Sequence, residues 1–436
     1  MSGAQPANPF FGPPRAEPPP GSEPGSPADS GSSYSFKFDA DPTPGARSGG
    51  PAEKPTARRV IPTWLFVAAA MLVTAYAAFR NFFRIATAPI LAGEPTYVDS
   101  GWQYVHRTVH APTVSGSTLV PAPGDFQHPP LAKYLFGLAQ LLDGHADDLA
   151  ASRCVATLAT LLTGLVVAVW IGREAGRWTG LIAGGLLTLL PEAADGSLGR
   201  FDRFALPDPV AGLFMVLSVV LAWEWARRRD GRAWTFAALT GVAVGLAAGS
   251  KANAFLGVIG PVFLTLLLPA ITRSHDRPKF LPRLAQSITA VLIAILVFAD
   301  LYLPLGNPII CIKYLVDFQS AQFPLRHLTG FAGRVSATPP WWADLWFAGH
   351  SYGSLLTCLL AAAAVLGILL RRDLLVAWCV AALAAPFVFY CFITHVALGA
   401  SWVMWTPMFL ALAAIGAASL IKSVAGLLGR WGGWQA

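Results

Sequence analysis

The sequence predicts an all-α integral membrane protein of about ten transmembrane helices with a folded first external loop. Three observations predict it. Of 436 residues, 54% are hydrophobic and 13% charged, about half the roughly 25% charge of a soluble globular domain. Ten runs with little or no charge recur, at 60–79, 154–171, 178–194, 205–225, 233–250, 252–272, 284–302, 351–370, 374–394 and 396–421. A bilayer core asks for about 20 apolar residues per helix. The basic residues also alternate from loop to loop. A soluble enzyme, a disordered protein and a nucleic-acid binder are therefore poor readings, despite a net charge of +7.

Residues 1–57 hold 13 Pro, 8 Gly and 8 Ser. Such a stretch buries too little apolar surface to offset its ordering entropy, so a disordered cytoplasmic tail is expected. No apolar h-region lies near Met1, so the start does not read as a signal peptide. The transmembrane domain is placed at 58–421 and a second cytoplasmic tail at 422–436. Run 178–194 is short, and 205–225 includes Asp208 and Glu224 near its ends.

With the N-terminus inside, the positive-inside rule holds at every loop. Arg173 and Arg177, the cluster Arg227 to Arg232, the cluster Arg273 to Arg283, and Arg371 and Arg372 all fall inside with the two tails, 20 of the 31 basic residues. The long loops 80–153 and 303–350 fall outside, and loops this long are usually functional or disordered. His106, His110, His128, His145, His327, His350 and His395 are external, as are Glu94, Asp99, Asp125, Asp195, Asp202, Asp208, Asp317 and Asp344. Chemistry-capable side chains thus gather on one face, which suggests an extracytoplasmic enzyme. A transporter or flippase would place ionisable groups in mid-helix, and the run centres are almost free of charge. A non-enzymatic assembly factor is the third reading, and it would tolerate loss of Asp99. Cys154, Cys358, Cys379 and Cys391 lie in apolar runs and only Cys311 in a loop, so no disulfide framework is expected.

Four motifs carry the chemistry. Thr96 to Tyr104 contains Asp99 before a helical pattern at 99–111; helix capping is the simpler role for an isolated Asp, and general-base catalysis toward a hydroxyl is the functional one. Asp125 to Tyr134 contains His128-Pro129-Pro130 and Lys133, where the prolines start a helix at 130–142. Gly199 to Asp208 places Arg200 and Arg203 in a short external loop, as snorkelling residues or as a bidentate phosphate clamp. Gly249 to Asn253 places Lys251 in a tight external turn, as an interfacial anchor or as a cation for a phosphate. His106 and His110 share a helical spacing, but no third ligand is fixed by spacing, so no metal is assigned and a divalent ion stays open.

The order Asp99-Ser100, His128-Pro-Pro-Leu-Ala-Lys133, Arg203-x4-Asp208 and Gly-Leu-Ala-Ala-Gly-Ser-Lys251 resembles the dolichyl-phosphate-mannose–protein mannosyltransferases. These belong, with the aminoarabinose lipid A transferases, to the GT-C class of membrane glycosyltransferases. The segment 324–347, with Pro-Pro-Trp-Trp-Ala-Asp-Leu-Trp, is similar to a Pro-Trp-rich external loop of that family. The resemblance implies inverting transfer of a sugar, mannose first, from a polyprenyl-phosphate donor to a hydroxyl of an exported protein, or to an envelope lipid or glycan. It implies Asp99 as catalytic base, Arg200, Arg203, Lys251 and Arg153 near the donor phosphate, and His128, Lys133, Asp208 and His327 as positioning groups. The family pattern usually reads Asp-Glu where this chain reads Asp99-Ser100, so the second carboxylate is vacant or supplied by another residue such as Glu94. No β-trefoil module is inserted.

Overall fold

The computed structural model describes residues 62–91, 93–109, 126–146, 148–190, 204–271, 279–325, 329–336, 338–394 and 402–432. The predicted tail 1–57 lies outside them. Fourteen α-helices occur among the described residues: α1 (Thr63–Phe82), α2 (Glu94–Val105), α3 (Leu131–Asp143), α4 (Leu149–Ala175), α5 (Arg177–Leu189), α6 (Pro207–Arg227), α7 (Arg232–Ser250), α8 (Leu256–Ile271), α9 (Phe280–Asp300), α10 (Pro308–Leu325), α11 (Ala343–Tyr352), α12 (Ser354–Leu370), α13 (Leu374–Val388) and α14 (Trp402–Gly432). A two-stranded antiparallel hairpin, β1 (Thr329–Phe331) and β2 (Arg334–Ser336), sits in the segment between α10 and α11.

Each of the ten apolar runs contains a helix among its described residues, but they are not equivalent. Eight helical segments are long and apolar enough to cross a membrane, whereas α12 has 17 residues and α5 has 13. At 1.5 Å per residue α5 spans about 20 Å, short of a core about 30 Å thick. It stops at Leu189 because Leu190, extended at ψ 141°, precedes Pro191. Asp148 caps α4, its Oδ1 accepting from the backbone N–H of Ala150 (2.7 Å) and Ala151 (3.0 Å). The helix then ends at Gly176, whose φ of 109° turns the chain directly into α5. At the other boundary α14 continues through Gly432, past the predicted end at 421, with no proline between 421 and 432 to stop it.

The interior is closed by small residues and tryptophans. Trp170, Trp223 and Trp378 meet edge to face at 6.2 and 5.5 Å, and the Trp378 indole N–H donates to the Val219 carbonyl at 3.2 Å. At one end of the bundle, polar bonds join the loops that the charge alternation grouped together. Arg173 and Arg228 both pair with Glu224, at 3.2 and 3.4 Å. Arg371 donates to the Glu174 carbonyl at 3.1 Å. Buried Arg283 donates to the carbonyls of Trp225 (2.9 Å) and Ala226 (3.1 Å) at the end of α6, where a cation complements unsatisfied carbonyls and the helix dipole.

At the opposite end α2 and α3 pack together. Pro95, in the first turn after left-handed Gly93, starts α2, five residues earlier than the pattern at 99–111. Contact between α2 and α3 is backbone to backbone at Gly101 and Gly137: a Cβ on Gly101 would meet the Lys133 carbonyl at 2.8 Å and the Gly137 nitrogen at 2.9 Å. Buried Gln140 donates to the Val98 carbonyl (2.9 Å) and to Ser152 Oγ (3.1 Å), tying α2 and α3 to α4. Tyr104 and Phe126 join Tyr302, Cys311 and Tyr314 in an apolar cluster, which brings α10 to this same end.

Candidate active site

Asp99 lies in the second turn of α2 and is exposed, so it caps nothing; the structure removes the simpler of its two readings. Its Oδ2 accepts from Gln103 Nε2 at 2.8 Å, one helical turn on. The buried face of α2 carries Glu94, Val98, Gly101 and Tyr104, so the outward face is left to Asp99 and its neighbours.

Glu94 and Arg153 fix this helix. Both side chains are fully buried, and the guanidinium grips the carboxylate with two bonds, Nε to Oε1 at 2.9 Å and Nη2 to Oε2 at 2.7 Å. Its other three donors reach the carbonyls of Ile85 (2.9 Å), Ala88 (2.9 Å) and Pro89 (2.8 Å). All five guanidinium N–H groups are used. Glu94 accepts in addition from the backbone N–H of Leu91 (2.8 Å) and Ala205 (2.7 Å). This geometry bears on two of the expected roles. Arg153 has no donor left for a phosphate, and Glu94 has no freedom to act as the second acceptor carboxylate. The pair instead pins together the segment after α1, the start of α2, the start of α4 and the turn before α6.

That turn leads to the second half of the site. Asp208, in the first turn of α6, and Lys251, just after α7, form an ion pair at 2.5 Å, with Asp208 buried and Lys251 mostly so. The sequence named the two separately; the fold joins them. Lys251 is therefore not splayed along an interface. Burial alone would push its ammonium down, but the Asp208 carboxylate, with a smaller contribution from the Tyr390 phenol, more than offsets this and holds it above the ordinary lysine value. Tyr390 belongs to a π-helical turn, Phe389–Thr394, that follows Pro386 in α13; such turns recur at functional sites. Among the described residues Lys251 donates one hydrogen bond, which leaves two of its three donors for a ligand.

The His-Pro-Pro segment is built against α2. The His128 ring lies 5.4 Å from that of Tyr97. Lys133 is fully buried: its ammonium donates to the His128 carbonyl at 2.9 Å, reaches Tyr104 Oη at 3.5 Å and sits over the Tyr104 ring. Lys133 thus braces the segment that presents His128. Arg200, Arg203, His327 and His110 lie outside the described residues. No three His, Cys, Asp or Glu side chains converge on a metal-sized site among the described residues.

Gln103 and Tyr390 were missed by the sequence reading. Gln103 had a legible signal, its i,i+4 spacing from Asp99. Tyr390 had none, since its run reads as plain apolar helix.

Asp208 follows Ala205 by three residues, and Asp99 follows Glu94 by five, about 7 Å of helix. Both halves of the site therefore hang from the same buried node. A groove of about 550 Å³ runs between α7, α8 and α9, with Val244, Ala248, Ala252, Phe255, Val258 and Ile295 among its apolar lining. Ala252 directly follows Lys251.

This fold is similar to those of solved membrane glycosyltransferases. It is similar to ArnT from Cupriavidus metallidurans bound to undecaprenyl phosphate, with a TM-score of 0.56 and 14% identity over 81% of this chain and 59% of that one. It is also similar to the Archaeoglobus fulgidus oligosaccharyltransferase tethered to an acceptor peptide, with a TM-score of 0.55 and 13% identity over 84% of this chain and 50% of that one. The same archaeal enzyme, AglB, in complex with an inhibitory peptide and a dolichol-phosphate gives a TM-score of 0.52 at 12% identity, over 86% of this chain and 52% of that one. The chain spans between half and three fifths of the length of these proteins. The profile of the dolichyl-phosphate-mannose-protein mannosyltransferase family matches residues 127–302. No curated protein matches the sequence.

Proposed function

We propose that this chain transfers mannose from a polyprenyl-phosphate donor to a hydroxyl of an exported protein, at the extracytoplasmic face of the cell membrane. The observation that carries the reading is the pairing of an outward carboxylate, Asp99, with a partly satisfied buried cation, Lys251, at one end of an apolar bundle and beside an apolar groove. The isoprenoid chain lies in that groove and the phosphate meets Lys251, with Arg200 and Arg203 as further donors. The transmembrane body from 58 onward is the catalytic domain, and the termini are cytoplasmic. His128 and His327 face the substrates as positioning groups, with Lys133 acting through the His128 backbone.

The proposed reaction is a single displacement. The acceptor hydroxyl loses its proton to Asp99 as its oxygen bonds to the anomeric carbon. The anomeric C–O bond to phosphate breaks, and polyprenyl phosphate leaves with the electron pair, inverting the configuration. One general base contributes about 10²–10⁴-fold. Cations placed where the leaving-group charge grows act most strongly in the transition state. Likeness to ArnT supports a second acceptor, an envelope lipid or glycan, by the same chemistry. A transporter reading is disfavoured because Glu224 pairs with arginines at a bundle end and Asp300 closes α9. The test is transfer from labelled polyprenyl-phosphate-mannose in membranes carrying wild type or Asp99→Asn. Asp99→Asn is expected to lose at least 100-fold in rate; undiminished transfer would sink the assignment of the base.

A further inference from the structure

We infer that Gln103 is the residue that positions Asp99 for proton transfer. This inference rests on the reading of Asp99 as base. On a helix each residue is turned about 100° from the last, so the residue after an outward Asp is carried toward the side. Here it is carried into the core: Ser100 is 2% exposed. No group at position 100 can stand beside the Asp99 carboxylate at the surface. The residue that does stand there is one turn on, where side chains four apart are neighbours.

Gln103 has no competing task. Its backbone carbonyl, near the end of α2, is satisfied by the N–H and the Oγ1 of Thr108, both at 3.1 Å. The neighbouring Trp102 carbonyl is met by the backbone N–H of His106 at 3.2 Å and lies 3.0 Å from His106 Nδ1. The final turn is thus closed without drawing on the Gln103 amide, whose one partner among the described residues is Asp99 Oδ2. Trp102 and His106 stack at 4.0 Å between ring centroids and close the same outward stripe. The bond at Oδ2 leaves Oδ1 without a partner among the described residues. An amide N–H holding one oxygen fixes the carboxylate torsion and aims the other oxygen at the acceptor hydroxyl. Misplacing a reacting group by about 1 Å costs on the order of 10²-fold.

The experiment compares Gln103→Leu, Gln103→Glu and Gln103→Lys, and crosses Gln103→Leu with Asp99→Asn. Transfer from labelled polyprenyl-phosphate-mannose is read as kcat and donor KM in membranes matched for protein level. Leu, Glu, Lys and Gln have nearly equal helix propensity, so a merely structural role predicts four similar enzymes. The positioning role predicts that Gln103→Leu loses about 10- to 100-fold in kcat with donor KM changed less than twofold. Gln103→Glu, which loses the donor and adds like charge, falls at least as far. Gln103→Lys keeps a donor within reach and retains kcat within about fivefold of wild type. In the Asp99→Asn background Gln103→Leu has no further effect. The inference is overturned by wild-type kcat in Gln103→Leu, by a Gln103→Lys no better than Gln103→Leu, or by a Gln103→Leu loss that persists without Asp99. Full transfer by Asp99→Asn would overturn the base and Gln103 together, whereas loss in Asp99→Asn with none in Gln103→Leu overturns only Gln103.

Discussion

Arg153→Met separates a scaffold role from a ligand role more sharply than any other change. The native guanidinium makes five hydrogen bonds, two of them to the Glu94 carboxylate, with both side chains fully buried. Met matches the length of the stem but leaves three carbonyls and a buried carboxylate behind, the latter retaining only the N–H groups of Leu91 and Ala205. Removing one partner of a buried pair costs about 3–5 kcal/mol. Two retained backbone donors put this site toward the lower figure, and the melting temperature should fall by roughly 3–5 °C. Glu94→Leu combined with Arg153→Met removes both charges, and should recover a large part of that loss, since apolar replacement of a whole buried pair is often near neutral. The assay is thermal unfolding of detergent-solubilised protein followed by size-exclusion recovery, run beside donor saturation in membranes. A ligand role predicts the reverse pattern: an unchanged melting temperature and a raised donor KM. That pattern, or a double variant as unstable as the sum of the singles, would refute the scaffold assignment.

Three other outcomes follow. Lys251→Ala should raise donor KM at least 10-fold in a saturation assay, and more than Lys251→Arg, which keeps a cation; equal saturation by all three proteins would remove Lys251 from the phosphate. Ala248→Trp, one turn before Lys251 and on the groove wall, should impair long-chain polyprenyl donors more than short-chain analogues; equal loss on both would place the chain elsewhere. Gly137→Val should destabilise the α2–α3 pair by about 1–3 kcal/mol through overpacking against the Gly101 backbone, read as earlier proteolysis of the 93–146 region; an unchanged digestion pattern would argue against the close approach.

The membrane architecture was legible because it follows from bulk properties. Apolar runs and alternating arginines are long-range signals that survive any detail of packing, and the loops meeting at Glu224, Glu174 and Trp225 agree with the alternation. Helix boundaries were less legible where short-range chemistry decides them. Gly93 and Pro95 start α2 before the amphipathic pattern begins, and α5 ends at Leu189, where Leu190 turns extended before Pro191. Individual charges were the least legible. Arg153 and Lys251 look alike in sequence, each a lone cation at a helix end. What divides them is the number of acceptors the fold supplies, and those acceptors include the backbone carbonyls of residues 85, 88 and 89, which no side-chain motif can announce.

That count of acceptors also bears on the energetics of the site. Arg153 spends every donor on the protein and Arg283 is held by three backbone carbonyls and Gln286, so their charges are offset in the resting state and a ligand could only displace bonds already made. Lys251 is different. It is largely removed from water, its single described bond goes to Asp208, and an incompletely satisfied buried cation is costly. A phosphate that brings oxygens to the two remaining ammonium donors relieves that cost, and does so more strongly as negative charge accumulates on the departing group. On the proposed reading, Asp208 is the counterion that keeps the ammonium charged and aimed before the donor arrives. Lys251 is thus a buried, counterion-paired cation with donors to spare, one residue from an apolar groove. On the proposed reading, a lipid phosphate is the ligand that satisfies both features at once.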